Sequence, residues 1–349
     1  MASPIPIRNI YYLLCYAWNK LAEGELVDVS GIDSTELADL FATVLINGMN
    51  HTLRRGLDRG YEEHEDELAT IRGRIDVAIT TRRMLASHGK AYCYYDEFTA
   101  NTLPNRILKS TLRYLSNAPG LDKTLRTKLL KLYRDLPGID DVRLDKFVFR
   151  RVQLNSNNRF YRFLLNICEM VQSAYLVDEH TGNYKFRDFI RDDRAMARLY
   201  ESFILNFYKL ELKDCEVKKE RIYWMASSDT DPALQYLPTM ETDISIRDNS
   251  RTLIIDAKYY SQTFQSYYDK ETIHSGNIYQ IMAYLNNIKE RGGVDANAEG
   301  MLLYPVVDKE IRESYTLQGN KIHICTLDMS RDWKEIREEL LSLVGSVTV

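Results

Sequence analysis

Two carboxylates and an ammonium in one short stretch of this chain have the spacing needed for chemistry on a phosphate. Asp243 sits in the run Thr242-Asp243-Ile244-Ser245-Ile246-Arg247, and Asp256 and Lys258 close Leu253-Ile254-Ile255-Asp256-Ala257-Lys258. Side chains alternate across a strand, so Asp256 and Lys258 share one face while Leu253, Ile255 and Ala257 line the other. In the upstream run Asp243, Ser245 and Arg247 share a face, opposite Thr242, Ile244 and Ile246. The polar segment Arg247-Asp248-Asn249-Ser250-Arg251 is short enough to fold the runs into a hairpin, bringing Asp243 beside Asp256. Two carboxylates converging with an ammonium suit a hard divalent cation such as Mg²⁺. Asp243 and Asp256 are then the expected metal ligands, helped by a backbone carbonyl near Ala257. The cation would polarise a phosphate and lower the pKa of a bound water. Lys258 would orient or help deprotonate that water and offset charge in the transition state. The expected chemistry is phosphodiester hydrolysis with no covalent enzyme intermediate.

The acidic-x-Lys string alone carries little, because Glu211-Leu212-Lys213 and Glu216-Val217-Lys218 also match it. Neither ends a compact apolar run or has a carboxylate one hairpin upstream. Taken alone, Asp256 and Lys258 would read as a solvated cross-strand pair. Charges that end a buried strand beside a second carboxylate need another reason. Downstream, Ile278, Ile281, Met282, Leu285 and Ile288 recur at helical spacing from about Ser275, and Gln280 and Tyr284 stack four apart on that helix. This set resembles the PD-(D/E)xK nucleases, whose RecB-like members carry a Gln-x-x-x-Tyr pair after the lysine. The resemblance makes Gln280 a candidate site residue. Glu201, on a helix expected around Ala195–Leu210, is either a further acid of the site or a solvated helix residue.

Nearly end to end, the chain resembles the McrC family, the nuclease subunits of McrBC modification-dependent restriction systems. The matching segments include Pro6-Ile7-Arg8-Asn9-Ile10-Tyr11-Tyr12 with Tyr16-Ala17-Trp18, and Ile71-Arg72-Gly73-Arg74-Ile75-Asp76. They continue through Asn105-Arg106-Ile107-Leu108-Lys109-Ser110, Leu136-Pro137-Gly138-Ile139, Met240-Glu241-Thr242-Asp243, Asp256-Ala257-Lys258-Tyr259-Tyr260, Tyr279-Gln280 and Tyr304-Pro305. The resemblance implies a Mg²⁺-dependent DNA endonuclease subunit of a GTP-dependent, 5-methylcytosine-specific system. Its implied partner is an McrB-like AAA+ GTPase hexamer, which recognises methylated cytosine after a purine and uses the GTP. It further implies stimulation of that GTPase through the N-terminal half, action on methylated double-stranded DNA, and a nuclease-domain dimer bridging two assemblies. A glutamate at position 201 is not part of the family motif.

With 349 residues and 45% hydrophobic content the chain can bury a sizeable core, expected as two domains. No stretch approaches the roughly 18 uninterrupted apolar residues of a membrane span. Met1-Ala2-Ser3-Pro4 lacks the basic and apolar regions of a signal peptide. Five scattered cysteines without a Cys-x-x-Cys pair point to reduced thiols in the cytoplasm, and against structural zinc or the clustered cysteines of iron–sulfur nucleases. The net charge of −4 is not that of a chain gripping DNA unaided. Residues 1–170 carry 24 Lys and Arg against 21 Asp and Glu; the remainder carries 22 against 29. A partner is therefore expected to supply much of the DNA affinity. Arg54, Arg55, Arg59, Arg72, Arg74, Arg82 and Arg83 form either a basic patch or a solvated surface. No Gly-x-x-x-x-Gly-Lys-Ser/Thr loop is present for a nucleoside triphosphate, and His274 and His323 read as isolated structural residues.

The elements that must position these groups follow from periodicity. A first helix is expected from Ile7, with Ile7, Tyr11, Leu14, Trp18 and Leu21 as its stripe and Pro4 and Pro6 blocking backward extension. A second begins near Asp33, where Asp33 and Glu36 have capping-box spacing, and stops at Gly56. Residues 61–100 read as strands or a projecting hairpin, with β-leaning runs at Ile75–Thr81 and Ala91–Tyr95. Helices follow over Pro104–Leu115 and Lys123–Tyr133. Pro137-Gly138 then breaks the chain, and a polar, irregular stretch runs from Asp140 to Asn158. We place the domain boundary there, giving 1–155 as a partner-docking, regulatory domain and 156–349 as the nuclease domain. The second domain is expected to hold helices at Arg159–Tyr175 and Ala195–Leu210, the site strands, a strand at Gly300–Val306, a hairpin at Gln318-Gly319-Asn320 and a last helix over Trp333–Leu343. The expected class is α/β (α+β): a mixed helical and β N-terminal domain, then a PD-(D/E)xK-type mixed sheet flanked by helices. Two other functions compete. One is a non-catalytic adaptor activating an AAA+ motor; the other is a stand-alone RecB-like repair nuclease, which the weak basic footprint disfavours.

Overall fold

The structure, a computed structural model, describes residues 5–345 apart from 31, 33, 35, 155–157, 178–183, 187–191, 261–263, 268–269 and 308. Helix α1 (Ile7–Ala17) starts immediately after Pro6, whose carbonyl accepts the Asn9 and Ile10 N–H groups. The apolar stripe does not run on as one helix. Trp18 caps α1, Asn19 turns the chain with a φ of 53°, and Leu21 opens a separate short helix, α2 (Leu21–Gly24). The chain then divides into two compact units, Glu25–Arg187 and a second made of Met1–Gly24 with Asp188–Val349.

The Glu25–Arg187 unit is built on α3 (Leu37–Arg55), which begins at Leu37 rather than near Asp33. Glu36 is its N-cap without a side-chain capping bond, and Asp33 lies outside the described residues. Gly56 stops the helix at a φ of 86°, a conformation glycine adopts without a Cβ clash. A three-stranded antiparallel sheet follows: β1 (Gly60–Leu68) and β2 (Arg74–Ile75) flank β3 (Ala91–Thr99). Within it the β-leaning run Ile75–Thr81 is mostly helical, forming α4 (Val77–Arg82). Asp76 overrides the β-propensity by accepting the Ile79 N–H at 2.8 Å as N-cap. Helices α5 (Leu103–Ser116), α6 (Lys123–Arg134), the short α7 (Lys146–Arg150) and α8 (Arg159–Ala174) complete the bundle, and β4 (Tyr175–Val177) pairs with β5 (Tyr184–Phe186). Leu40, Phe41, Val44, Ile107, Leu112, Leu129, Phe163 and Ile167 are buried along α3, α5, α6 and α8. The expected boundary at 155/156 lies outside the described residues. The Glu25–Arg187 unit takes in α8 from beyond it, and residues 1–24 belong to the other unit.

In that other unit α9 (Asp193–Glu211) leads into β6 (Glu216–Lys218), β7 (Arg221–Ile222), β8 (Met240–Glu241), β9 (Ile244–Arg247) and β10 (Thr252–Ala257). Then come β11 (Phe264–Tyr267), β12 (Lys270–Ile273), α10 (Ser275–Lys289), β13 (Glu299–Pro305), β14 (Arg312–Leu317), β15 (Asn320–Leu327) and α11 (Trp333–Gly345). Six strands form one mixed sheet in the order β14-β15-β13-β10-β9-β6. Strands β10, β13 and β15 run parallel, while β14, β9 and β6 pair antiparallel with their neighbours. Strand alternation assigns the two faces. Leu253, Ile255, Met301, Leu303 and Leu327 pack with Leu13 and Tyr16 of α1, Phe203 and Phe207 of α9, and Trp333 and Ile336 of α11. Ile254, Leu302 and Ile322 pack with Ile281, Leu285 and Ile288 of α10. Gly300 lets α10 approach, since a Cβ there would stand 2.8 Å from Ile281 Cδ1. The chain is thus a mixed α/β protein, with a helix-flanked mixed sheet following a helical and β first part.

Candidate active site

Strand β10 carries the central carboxylate. All its residues are buried, and Asp256 is 0% exposed. Two positions from Ile254, Asp256 belongs to the α10 face, while Leu253, Ile255 and Ala257 fill the opposite core. The backbone ladder continues one step, with Lys258 N–H donating to the Leu303 carbonyl at 3.0 Å. This seats the lysine on the strand's end, where its Nζ lies 2.8 Å from Asp256 Oδ1 and 3.8 Å from Asp243 Oδ2. Asp243 immediately precedes β9, whose Ile244 pairs with Ile255, so Asp243 comes opposite Asp256. Its Oδ2 accepts the Ala257 N–H at 3.0 Å. The hairpin that brings the acids together closes through Asp248, whose Oδ1 accepts from Ser250 N, Ser250 Oγ and Arg251 N.

The charges strain against their surroundings. Burial, then the Asp256 carboxylate and also Glu201, push the Asp243 carboxyl up to about 7, against the pull of Lys258. Burial alone would lower the Lys258 ammonium, but Asp256 and Asp243 outweigh it and hold it above its ordinary value. Both Asp256 oxygens are buried and neither accepts a hydrogen bond of good geometry, although the ammonium is close. A buried carboxylate in that condition is costly unless a ligand completes it. Two converging carboxylates offer hard oxygen donors, the set that suits a divalent cation of the Mg²⁺ type, which keeps several of its waters. Asp243 and Asp256 are the residues that would hold it. Among the described residues no third carboxylate, histidine or cysteine completes a metal-binding cluster with them.

Gln280 and Tyr284 reach this region indirectly. Gln280 Nε2 donates to Tyr284 Oη at 2.7 Å, and Tyr284 Oη donates to the Glu241 carbonyl at 2.9 Å. The pair therefore holds the backbone two residues ahead of Asp243. No hydrogen bond among the described residues joins Gln280 directly to Asp243, Asp256 or Lys258. Glu201 of α9 is ion-paired with Lys219 and adds its field to Asp243. Sequence reasoning missed Lys219, whose ammonium is held up by Glu201, Asp243 and Glu241 against the lowering effect of burial. It also missed the Glu220 anchor: Thr242 N–H donates to the Glu220 carbonyl at 2.9 Å and Thr242 Oγ1 accepts the Glu220 N–H at 3.1 Å. Neither residue stands in a periodic pattern, so nothing local marks them. The competing strings are accounted for elsewhere: Glu211 binds Tyr16 and Arg337, and Glu216 and Lys218 pair with each other. His323 is not isolated as expected, for it bridges Ser314 Oγ at 2.7 Å and Glu299 Oε2 at 3.1 Å.

Comparison with known proteins gives the chain its place. A model of the family described as McrBC 5-methylcytosine restriction system component matches residues 8–305. The chain belongs to this family. It is 37% identical over 339 residues to the Escherichia coli (strain K12) type IV methyl-directed restriction enzyme EcoKMcrBC, covering 97% of each chain. In fold it is similar to a chain in the refined half-complex from the tetradecameric assembly of Thermococcus gammatolerans McrB AAA+ hexamers with bound McrC. That match has a TM-score of 0.61 at 17% identity, over 97% of this chain and 76% of that one. Among the described residues of this family member, no helix is long and apolar enough to cross a membrane. None of the five cysteines is in a disulfide.

Proposed function

We propose that this chain is the DNA-cleaving subunit of a GTP-dependent, 5-methylcytosine-specific restriction endonuclease, hydrolysing phosphodiesters with Mg²⁺ at a PD-(D/E)xK-type site. One observation carries the proposal: in a McrBC-family chain, the fully buried Asp256 carboxylate converges with Asp243 and the Lys258 ammonium. Mg²⁺ held by Asp243 and Asp256 would supply Lewis-acid polarisation of the phosphate and a more acidic water. Lys258, held cationic by the two carboxylates, offsets charge gathering on the phosphate and orients the attacking water. Ala257 N–H fixes the Asp243 carboxylate, and Gln280 acts through Tyr284 to fix the backbone that carries it. GTP belongs to an McrB-like AAA+ partner hexamer, whose GTPase this chain stimulates. A pair of such nuclease units, meeting across two assemblies, cuts both strands of methylated DNA.

Cleavage of methylated and unmethylated plasmid with Mg²⁺ tests the proposal, comparing wild type with Asp256→Ala, each with and without the partner and GTP. Cutting by wild type alone, dependent on partner, GTP and methylation, is the expected result. Equal cutting by both proteins would remove Asp256 from the chemistry. Absence of cutting, with partner GTPase still stimulated, would turn the chain into an adaptor.

A further inference from the structure

The Glu25–Arg187 unit has a cleft of about 450 Å³ where α3 ends, bordered by Arg55 and Arg59 with His51, Phe98 and Phe160. Both arginines are exposed and neither has a carboxylate partner among the described residues. This separates them from Arg72, Arg74 and Arg83, whose guanidiniums lie over the Tyr95, Tyr94 and Tyr92 rings. The single acid of the cleft, Asp58, is already engaged. Its carboxylate accepts from Asn158 Nδ2, its N–H donates to Tyr161 Oη at 2.8 Å, and its carbonyl accepts from Asn105 at 2.9 Å. The His51 ring lies 4.8 Å from that of Phe160, and its Nε2 is buried with no hydrogen-bond partner. Phe98 stands 54% exposed at the edge.

Two unpaired guanidiniums match a phosphate, and aromatic faces match a base. The volume falls in the range of small-molecule sites. We propose that this cleft holds one unstacked nucleotide, with its phosphate on Arg55 and Arg59 and its base against Phe98 and Phe160. The site goes beyond the nuclease reading and does not depend on it, since it uses none of the residues of the metal-binding pair.

The test is fluorescence anisotropy of a labelled oligothymidylate of about 12 nucleotides on the full chain, with EDTA present so that cleavage plays no part. Arg55→Gln/Arg59→Gln should weaken binding at least about tenfold and flatten the log–log salt dependence by about 1.4, the share of two phosphate contacts on a single strand. The charge-matched double control Arg82→Gln/Lys90→Gln, at two exposed residues that do not line the cleft, should bind as wild type does. Phe98→Ser should weaken the thymidylate but not an abasic strand of equal length, which wild type already binds less tightly because stacking is absent. Thymidine monophosphate distinguishes the sources: competition by the free nucleotide assigns the cleft to nucleotides as such, and strand-only binding assigns it to a nucleic-acid strand. An Arg55/Arg59 double variant indistinguishable from the Arg82/Lys90 control, or an abasic strand bound as tightly as thymidylate, would overturn the proposal.

Discussion

Asp243 and Asp256 sit across a hairpin with the Lys258 ammonium 3.8 Å from the one and 2.8 Å from the other. The consequence for pH follows from the direction of the Asp243 shift. Its folded value, about 7, lies above that of an unfolded carboxyl, so the folded state keeps the proton longer. The stability this group contributes is therefore complete below the ordinary carboxylate range and is lost as pH rises through about 7. Asp243→Asn should remove that loss while its amide oxygen can still accept the Ala257 N–H. In thermal melts with chelator, the variant should melt above wild type at pH 8 and close to it at pH 4, by about 2–4 °C for each kcal/mol recovered. Cleavage should fall below detection in the same protein, the trade between stability and function expected at a ligand site. Equal melting of both proteins at pH 8 would show that Asp243 ionises without strain. Lys258→Met tests the opposite charge: it should lower cleavage by about 10²–10³, the scale of one lost transition-state stabiliser, and lower the metal-free melting temperature. A variant with unchanged melting would show that the lysine does not neutralise the carboxylates.

At the scale of elements, the site depends on bonds that fix backbone rather than touch a phosphate. Tyr284→Phe removes the hydroxyl joining Gln280 to the Glu241 carbonyl and should cost about 1 kcal/mol of stability. Cleavage should fall with a lower kcat and little change in KM, since Asp243 is displaced while binding surface is kept. A change confined to KM would refute this positioning role. In the first unit, Gly73 combines a φ of 64° with a backbone contact that a Cβ would violate, 2.1 Å from the Tyr94 carbonyl. Gly73→Ala should therefore destabilise the β2–β3 pairing by about 1–3 kcal/mol, seen as faster amide exchange across Ala91–Thr99; unchanged exchange would mean the turn relaxes freely. These cases mark what the sequence makes legible. The site hairpin can be read because its information is local: alternation, a polar turn and an acid on each side of it. Helix α4 could not be read from β-branched residues, because the Asp76 cap decided it. The Glu201–Lys219 pair and the Thr242–Glu220 anchor link residues 18 and 22 positions apart, with no period to connect them.

For the whole molecule, chain order and compact units disagree, and the disagreement has a physical source. The opening helix α1 is amphipathic, which shows that it needs a partner without showing which one. Its apolar face packs on α9 and α11, nearly two hundred residues and more downstream: Tyr16 lies 5.3 Å from the Phe207 ring and 5.4 Å from Trp333, and its hydroxyl donates to Glu211 at 2.8 Å. Asn206 Nδ2 also donates to the Ala17 carbonyl at 2.9 Å. The sheet bearing Asp243 and Asp256 is thus completed by the first residues of the chain, whereas α3 and α8 share a different core. Tyr16→Ala should cost about 3–5 kcal/mol, as for other large aromatic truncations in a core. The loss should stay within one unit. Hydrogen exchange should accelerate in Asp193–Glu211 and Trp333–Gly345 while Leu37–Arg55 and Leu103–Ser116 keep their protection. Uniform acceleration would mean that the two units unfold as one; unchanged exchange in α9 and α11 would mean that α1 is an appendage. The expected pattern also predicts that a fragment starting at residue 156 lacks an integral piece of the sheet's packing and cannot stand in for the nuclease domain.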